Sequence, residues 1–295
     1  MLDRASTFSD PEVIKLLQTA FVPVALDQAY QRRQQDAEGE FYRKIVNQGP
    51  RKAEDGTTQG RYVATADGEL LGFNNNRDTA RVLKLMRESL TKLPTETAAV
   101  IKAGKPDGKY AYGPPEGGLV ARVNSKVLGG YEETDDEWRK MFQEGMGRDN
   151  FWIRRDEHEA LARGEVAESL IGRMARFHLV DNTRGEPPMW EAADIQESSV
   201  ELEGGTLSGT VHLKTKSGDR EFKVDLFGHV TTVGGKVTRF DVVAKGTFRG
   251  EGPFTLGAPK GEFPMGIAFR LADGTDIADA IPPQGSRGWL DGYIK

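Results

Sequence analysis

From Ser198 to about residue 272, apolar and polar residues alternate, and this pattern constrains the fold more than any other feature of the chain. A period of two is typical of β-strands, because successive side chains point to opposite faces of a sheet. Glycine pairs such as Gly204-Gly205 and Gly234-Gly235 separate the alternating stretches and indicate tight turns. We therefore expect five or six antiparallel strands, which form an open barrel or a strongly curved sheet.

One turn in this region also predicts a register. Ser217-Gly218 is suited to a two-residue hairpin, which would place Lys214 opposite Glu221. The same register places His212 opposite Lys223.

The residues before the sheet show helical as well as strand patterns. Leu119–Leu128 alternates well enough for a strand, and a short helix is expected around Trp138. A helix is expected from Asp156 to about Ala162, and apolar residues at helical spacing predict another over 165–178. We expect these last two helices to pack against the sheet.

Residues 94–118 contain four prolines and five glycines, which is typical of a linker between domains. The expected organisation is a first domain over 1–93, the linker, and a second domain over 119–295. The whole chain is then an α+β protein.

The first 93 residues predict the order helix, strand, helix, hairpin, helix. Ser9 and Glu12 suit a capping box, Phe21–Leu26 is an apolar run of strand length, and residues 28–47 are prone to form a helix. Asp67-Gly68 predicts the hairpin turn, and a last helix is expected from about Asp78.

Three strings in this region carry a resemblance: Phe8-Ser-Asp-Pro-Glu-Val13, Phe21-Val-Pro-Val24 followed by Asp27, and Thr65-Ala-Asp-Gly-Glu-Leu-Leu-Gly72. Over about residues 5–93 the chain resembles the thioredoxin-like domain of bacterial proteins. Redox members of that family have a Cys-x-x-Cys pair and a cis-proline. This chain has no cysteine, and Thr58-Gln59-Gly60 occupies the proline position. The resemblance therefore implies a scaffold without thiol–disulfide activity. Many proteins of this kind are exported, so it also implies export, with a processed leader missing from the chain as given.

Composition excludes several classes of function. The net charge of −5 comes from 45 acidic and 40 basic residues scattered along the chain, without a basic block to bind nucleic acid. No apolar stretch approaches the roughly 20 residues that a membrane span needs, so we expect a soluble protein. The absence of cysteine excludes disulfides, thiolate nucleophiles and Cys-ligated metals, but it leaves the compartment open.

Residues 177–190 are the strongest candidate for a catalytic site, because polar groups are unusually dense there. His178, oriented by Asp181, could act as a base, Arg184 could hold a carboxylate or phosphate, and Glu186 could act as an acid. A structural interpretation is equally physical. In it, His178 stabilises the end of its helix, Asp181 forms a turn, and Arg184 pairs with Glu186.

Three of the four histidines, His178, His212 and His229, could in principle form an open zinc or copper site. Their spacing does not support one, and otherwise no cofactor is expected. The favoured hypothesis is a non-redox binding or scaffolding protein with an unidentified protein or small-molecule partner. The alternatives are a cysteine-independent hydrolase that uses residues 177–190 and a histidine-based metal-binding protein.

Overall fold

The structure is a computed structural model that describes residues 3, 6–94, 104–110, 113–287 and 289–295. The chain divides into two compact units, Asp3–Tyr112 and Gly113–Lys295, so the division falls within the expected linker. Residues 95–103 and 111–112 of that linker lie outside the described residues. Helices occur together with one two-stranded and one seven-stranded antiparallel sheet, which confirms a mixed α+β protein.

The first unit contains four α-helices and one hairpin among its described residues. Their bounds are α1 Pro11–Ala20, α2 Gln28–Gln31, α3 Ala37–Val46, β1 Arg61–Ala64, β2 Leu70–Asn74 and α4 Thr79–Leu90. Val13 of α1 and Val82 and Met86 of α4 are buried together and form the centre of a small core. The hairpin and the last helix are confirmed, with Asp78 as the N-cap of α4.

Two expectations for this unit are wrong. The segment 21–26 is not a strand, and it joins neither strand of the hairpin. Val22 and Val24 are 90% and 70% exposed, so the apolar run packs against nothing that would hold it in a sheet. The helix expected over 28–47 is interrupted between Gln31 and Ala37, because Asp36 caps α3 by accepting a hydrogen bond from the Gly39 N–H at 3.0 Å.

The N-cap of α1 also differs from the expected capping box. Asp10, rather than Ser9, accepts hydrogen bonds from the N–H groups of Glu12 and Val13, at 2.9 and 3.0 Å. A carboxylate at this position both satisfies free donors and interacts favourably with the helix dipole.

The second unit contains a seven-stranded sheet and four helices among its described residues. Their bounds are β3 Leu119–Val127, α5 Glu137–Glu144, β4 Met146–Ile153, α6 Arg155–Ala162, α7 Glu168–Phe177, β5 Ile195–Glu203, β6 Thr206–Lys214, β7 Glu221–Val233, β8 Lys236–Arg249, β9 Glu262–Leu271 and α8 Leu290–Ile294. The strands lie in the order β4-β3-β9-β8-β7-β6-β5 and every neighbouring pair is antiparallel.

The expected hairpin register is confirmed. Lys214 pairs with Glu221, and His212 pairs with Lys223. The region 195–271 supplies five strands, and β3 and β4 extend the sheet to seven because β3 pairs with β9. No expectation was made for β4, where Arg148, Asp149 and Asn150 interrupt the alternation of apolar and polar residues.

One face of the large sheet is covered and forms the main core. The buried face of β7 carries Phe222, Val224 and Leu226, and α6 lies against β8 while α7 lies against β5. The opposite face of β7 carries exposed residues such as Lys223 and His229. Among the described helices, none has the length and apolar content that crossing a membrane would require.

Candidate functional site

The polar segment after α7 is held inside the second unit rather than presented to solvent. His178 is the C-cap of α7, and its N–H donates to the carbonyl of Met174 at 2.9 Å. At the other end of the segment, the indole Nε1 of Trp190 donates to the carbonyl of Leu179 at 2.8 Å. Residues 177–184 are all buried.

His178 lies in an aromatic environment with a polar group on either side of its ring. Its Nε2 is 2.6 Å from the hydroxyl of Tyr293, and its Nδ1 is 3.2 Å from Oδ2 of Asp149. Burial raises the pKa of Tyr293 well above its ordinary value, so this hydroxyl stays protonated. The ring of His178 also contacts those of Phe151 and Phe269. The side chain is fully buried, so a substrate in solvent does not reach it in this conformation.

Asp181 and Arg184 form a buried ion pair through Oδ2 and Nη2. The other oxygen of Asp181 accepts hydrogen bonds from the N–H and hydroxyl of Thr183, at 3.1 and 2.6 Å. Arg184 donates from Nε to the carbonyl of Thr255 at 3.2 Å and from Nη1 to the hydroxyl of Tyr131 at 2.8 Å. Burial raises the pKa of Tyr131, so its hydroxyl stays neutral beside the guanidinium.

Glu186 is separate from these residues. Its side chain is 48% exposed and pairs with Arg287. The expected pairing of Arg184 with Glu186 is therefore wrong, because each side chain has a different partner. The structure brings Asp181 and Arg184 together, but it places His178 with Asp149 and Tyr293 and leaves Glu186 at the surface.

Asn182 completes this buried segment by linking it to the sheet. The hydroxyl of Ser125 in β3 donates to Oδ1 of Asn182. Gly147 of β4 makes this bond possible, since a Cβ at that position would overlap both Asn182 Oδ1 and Ser125 Oγ. The polar groups of the segment thus hold the loop in place. This agrees with the structural interpretation of the sequence, although the residues that they contact differ from the expected ones.

The three histidines of the possible metal site do not come together. His178 faces the core, whereas His212 and His229 lie on the opposite face of the sheet. His212 pairs with Lys223 and His229 pairs with Thr206, so the two are six residues apart in register, which is roughly 20 Å along a strand. Nε2 of His212 contacts Oε1 of Glu221 at 2.8 Å. Across the described ranges, no group of three His, Asp or Glu side chains could hold a metal ion.

A different site lies in the first unit, where two segments about 70 residues apart in sequence form a cleft. Its volume is about 730 Å³, and it is open to solvent. Four cationic side chains line it together with Gln35, Pro106, Asp107 and Tyr110; the cations are Arg32, Arg33, Lys105 and Lys109. Sequence reasoning missed this site, although the adjacent arginines and the two lysines in a turn-rich stretch were visible signals.

Hydrogen bonds between its two walls hold the cleft in shape. Asp107 accepts from the N–H of Gln35 at 2.7 Å, and its own N–H donates to Oδ2 of Asp36 at 2.7 Å. Arg43 supports the first wall by donating to the carbonyls of Arg32 and Gln34, at 3.2 and 2.5 Å. These hydrogen bonds fix the two walls, and the four cationic side chains of the cleft, in one arrangement.

Comparison with known proteins identifies no relative. No family model matches the sequence, and neither a curated protein nor a solved structure matches the chain. The thioredoxin-like resemblance of residues 5–93 therefore stays a prediction.

Proposed function

We propose that this protein is a non-redox binding protein that holds a small molecule in the cleft of its first unit. The observation that carries the proposal is the cleft itself, an open cavity of about 730 Å³ with a charged lining. Cavities of about 300 to 1,000 Å³ suit small ligands. A chain without cysteine has no thiol for redox chemistry, which agrees with a binding role on a thioredoxin-like scaffold.

The state of the predicted catalytic residues also supports binding over hydrolysis. Catalytic groups need access to substrate and hydrogen-bond reach of the reacting atoms. His178, Asp181 and Arg184 are each at most 3% exposed and bonded within the second unit.

A ligand screen tests this proposal. Purified full-length protein is heated with a broad set of charged and neutral metabolites, and ligands that raise the Tm are titrated by calorimetry. Binding to the native state raises the Tm by mass action. We expect at least one ligand whose binding is lost in the Arg33→Gln/Lys109→Gln double variant.

The matched control is Lys15→Gln, which removes an exposed cation of α1 in the same unit. This variant should bind like the wild type. Either an absence of ligands, or binding that is equal in the cleft variant and the wild type, would refute the proposal.

A further inference from the structure

The net positive charge of the first unit is concentrated in the cleft. The unit Asp3–Tyr112 carries 17 basic and 15 acidic residues, a net charge of +2, within a chain of net charge −5. The lining alone has four cations and one acid, which gives +3. From this we propose that the ligand is a small molecule with a di- or triphosphate group; the inference rests on the proposed binding function.

The cations of the cleft are available to a ligand. Arg32, Arg33, Lys105 and Lys109 form no ion pair in the described part of the chain, whereas Arg61 and Arg77 pair with Asp3, and Arg87 pairs with Glu12. The Nε of Arg32 is buried without a hydrogen-bond partner. A buried donor without a partner costs stability, so the guanidinium of Arg32 is not fully satisfied by the protein itself.

Asp107, the one acid of the lining, offsets one of the four positive charges but forms no ion pair with these cations among the described residues. One of its oxygens accepts from the N–H of Gln35, and the other accepts from the N–H of Lys109 at 2.8 Å. These backbone hydrogen bonds lower the pKa of Asp107, so it remains ionised while it holds the loop closed. The excess of positive charge is thus stable and faces the cavity.

The net charge of +3 favours a di- or triphosphate over a ligand with a single carboxylate. A carboxylate brings one negative charge, whereas a diphosphate or triphosphate concentrates several charges on neighbouring groups. Two guanidinium groups can each bind phosphate oxygens with two parallel donors, and lysines act as point charges beside them. The volume leaves space for an organic group beyond the phosphates, next to the Tyr110 ring, over which the Lys109 ammonium lies at 5.1 Å. Because the excess is confined to one cleft, a small molecule fits better than a nucleic acid, which needs an extended basic surface.

Calorimetric titration of the full-length protein at low ionic strength tests this inference with inorganic tripolyphosphate, pyrophosphate, citrate and glucose. We expect tripolyphosphate to bind most tightly, followed by pyrophosphate, with citrate at least tenfold weaker and glucose silent. The affinity for tripolyphosphate should fall at least tenfold in Arg33→Gln/Lys109→Gln and remain unchanged in Lys15→Gln. It should also fall steeply as salt increases, because exposed charges are screened.

The outcomes separate the ligand class from the proposed function. If citrate or a neutral compound binds more tightly than the phosphates and depends on the cleft residues, the phosphate inference is wrong and the binding function stands. If tripolyphosphate binds the cleft variant and the wild type equally, the inference is likewise wrong. If no compound shows binding that depends on the cleft, both fail. Should the double variant not fold, Lys105→Gln/Lys109→Gln replaces it, since both lysines are exposed.

Discussion

The two halves of the Asp181–Arg184 pair should contribute unequally to stability. In Asp181→Ala, the guanidinium of Arg184 loses the one carboxylate that it pairs with among the described residues, and it stays buried, at an expected cost of about 3–5 kcal/mol. Arg184→Met should cost less, because Asp181 retains two hydrogen bonds from Thr183. The double variant should be more stable than Asp181→Ala, since it has no unpaired buried cation. Urea unfolding of the four proteins gives the coupling energy.

Glu186→Gln is the control for this series. Glu186 forms a half-exposed pair with Arg287, so its loss should cost about 0–1 kcal/mol. A Glu186 variant as destabilised as Asp181→Ala would contradict the assignment of partners.

Glu221 should make the second unit sensitive to acid. Its side chain is 10% exposed, and four cationic or imidazole groups lie within ion-pair distance: His212, Lys214, Lys223 and Arg249. The hydrogen bond from His212, assisted by the two lysines, lowers the pKa of Glu221 from 4.5 to about 2. A folded-state pKa below the unfolded one means that Glu221 stabilises the protein above pH 4.5, and this contribution is lost as the pH falls towards 2.

Urea unfolding of wild type and Glu221→Gln between pH 2 and 6 measures this contribution. The difference in the free energy of unfolding should be largest near pH 6, at about 1–2 kcal/mol, and should shrink as the pH falls towards 2. A difference that is independent of pH would show that the carboxylate is not responsible.

The partners of single residues show what the sequence can predict. The Lys214–Glu221 register follows from a two-residue turn and a period of two, both of which are local. Two further partners of Arg184, Tyr131 and Thr255, lie 53 and 71 residues away, so no local pattern indicates them. The polar groups after α7, which from the sequence are the candidate catalytic site, likewise contact distant residues such as Ser125 of β3 and Asp149 of β4.

At the scale of the element, Gly147 controls the junction between β4 and the buried loop. In Gly147→Ala the new methyl group would displace Asn182 and Ser125, whose side chains are hydrogen-bonded to each other. Overpacking of a buried site typically costs about 1–3 kcal/mol, and the broken hydrogen bond adds to this. The Tm in thermal unfolding should therefore fall.

Gly172→Ala is a matched control with the opposite expected sign. Gly172 lies within α7, and a Cβ there would meet no atom within 4 Å. Alanine is the better helix former, so this variant should gain about 0.5–1 kcal/mol. If both glycine variants change the Tm by the same amount, the close contact at Gly147 is not what limits that position.

Helices and strands could be predicted where the sequence pattern that indicates them lies within a short, uninterrupted stretch of the chain. Helix α7 has a full apolar stripe, and the hairpin of β1 and β2 has an Asp-Gly turn. Phe21–Leu26 has strand composition but lacks a strand partner, and composition alone does not form a sheet. The cationic residues of the cleft are visible in the sequence, but their proximity is not, because the hydrogen bonds that join the walls through Gln35, Asp36 and Asp107 connect residues about 70 positions apart.

At the scale of the whole molecule, the two units differ in the size of their cores. The largest fully buried side chains among the described residues all belong to Gly113–Lys295, including Trp152, Trp190 and Phe222. The core of Asp3–Tyr112 is centred on Val13, Val82 and Met86, beside a sheet of only two strands. Since buried apolar area is the main stabilising contribution, the first unit should be the less stable one.

Scanning calorimetry should therefore show two transitions, with the first unit unfolding at the lower temperature. Val13→Ala should lower only the first transition, and Phe222→Ala only the second, with costs of about 2–5 kcal/mol for such core truncations. A ligand of the cleft should raise only the lower transition, because it binds native Asp3–Tyr112 alone. A single transition that both substitutions shift equally would instead mean that the units unfold together, and a ligand that shifts only the upper transition would place its site outside the cleft.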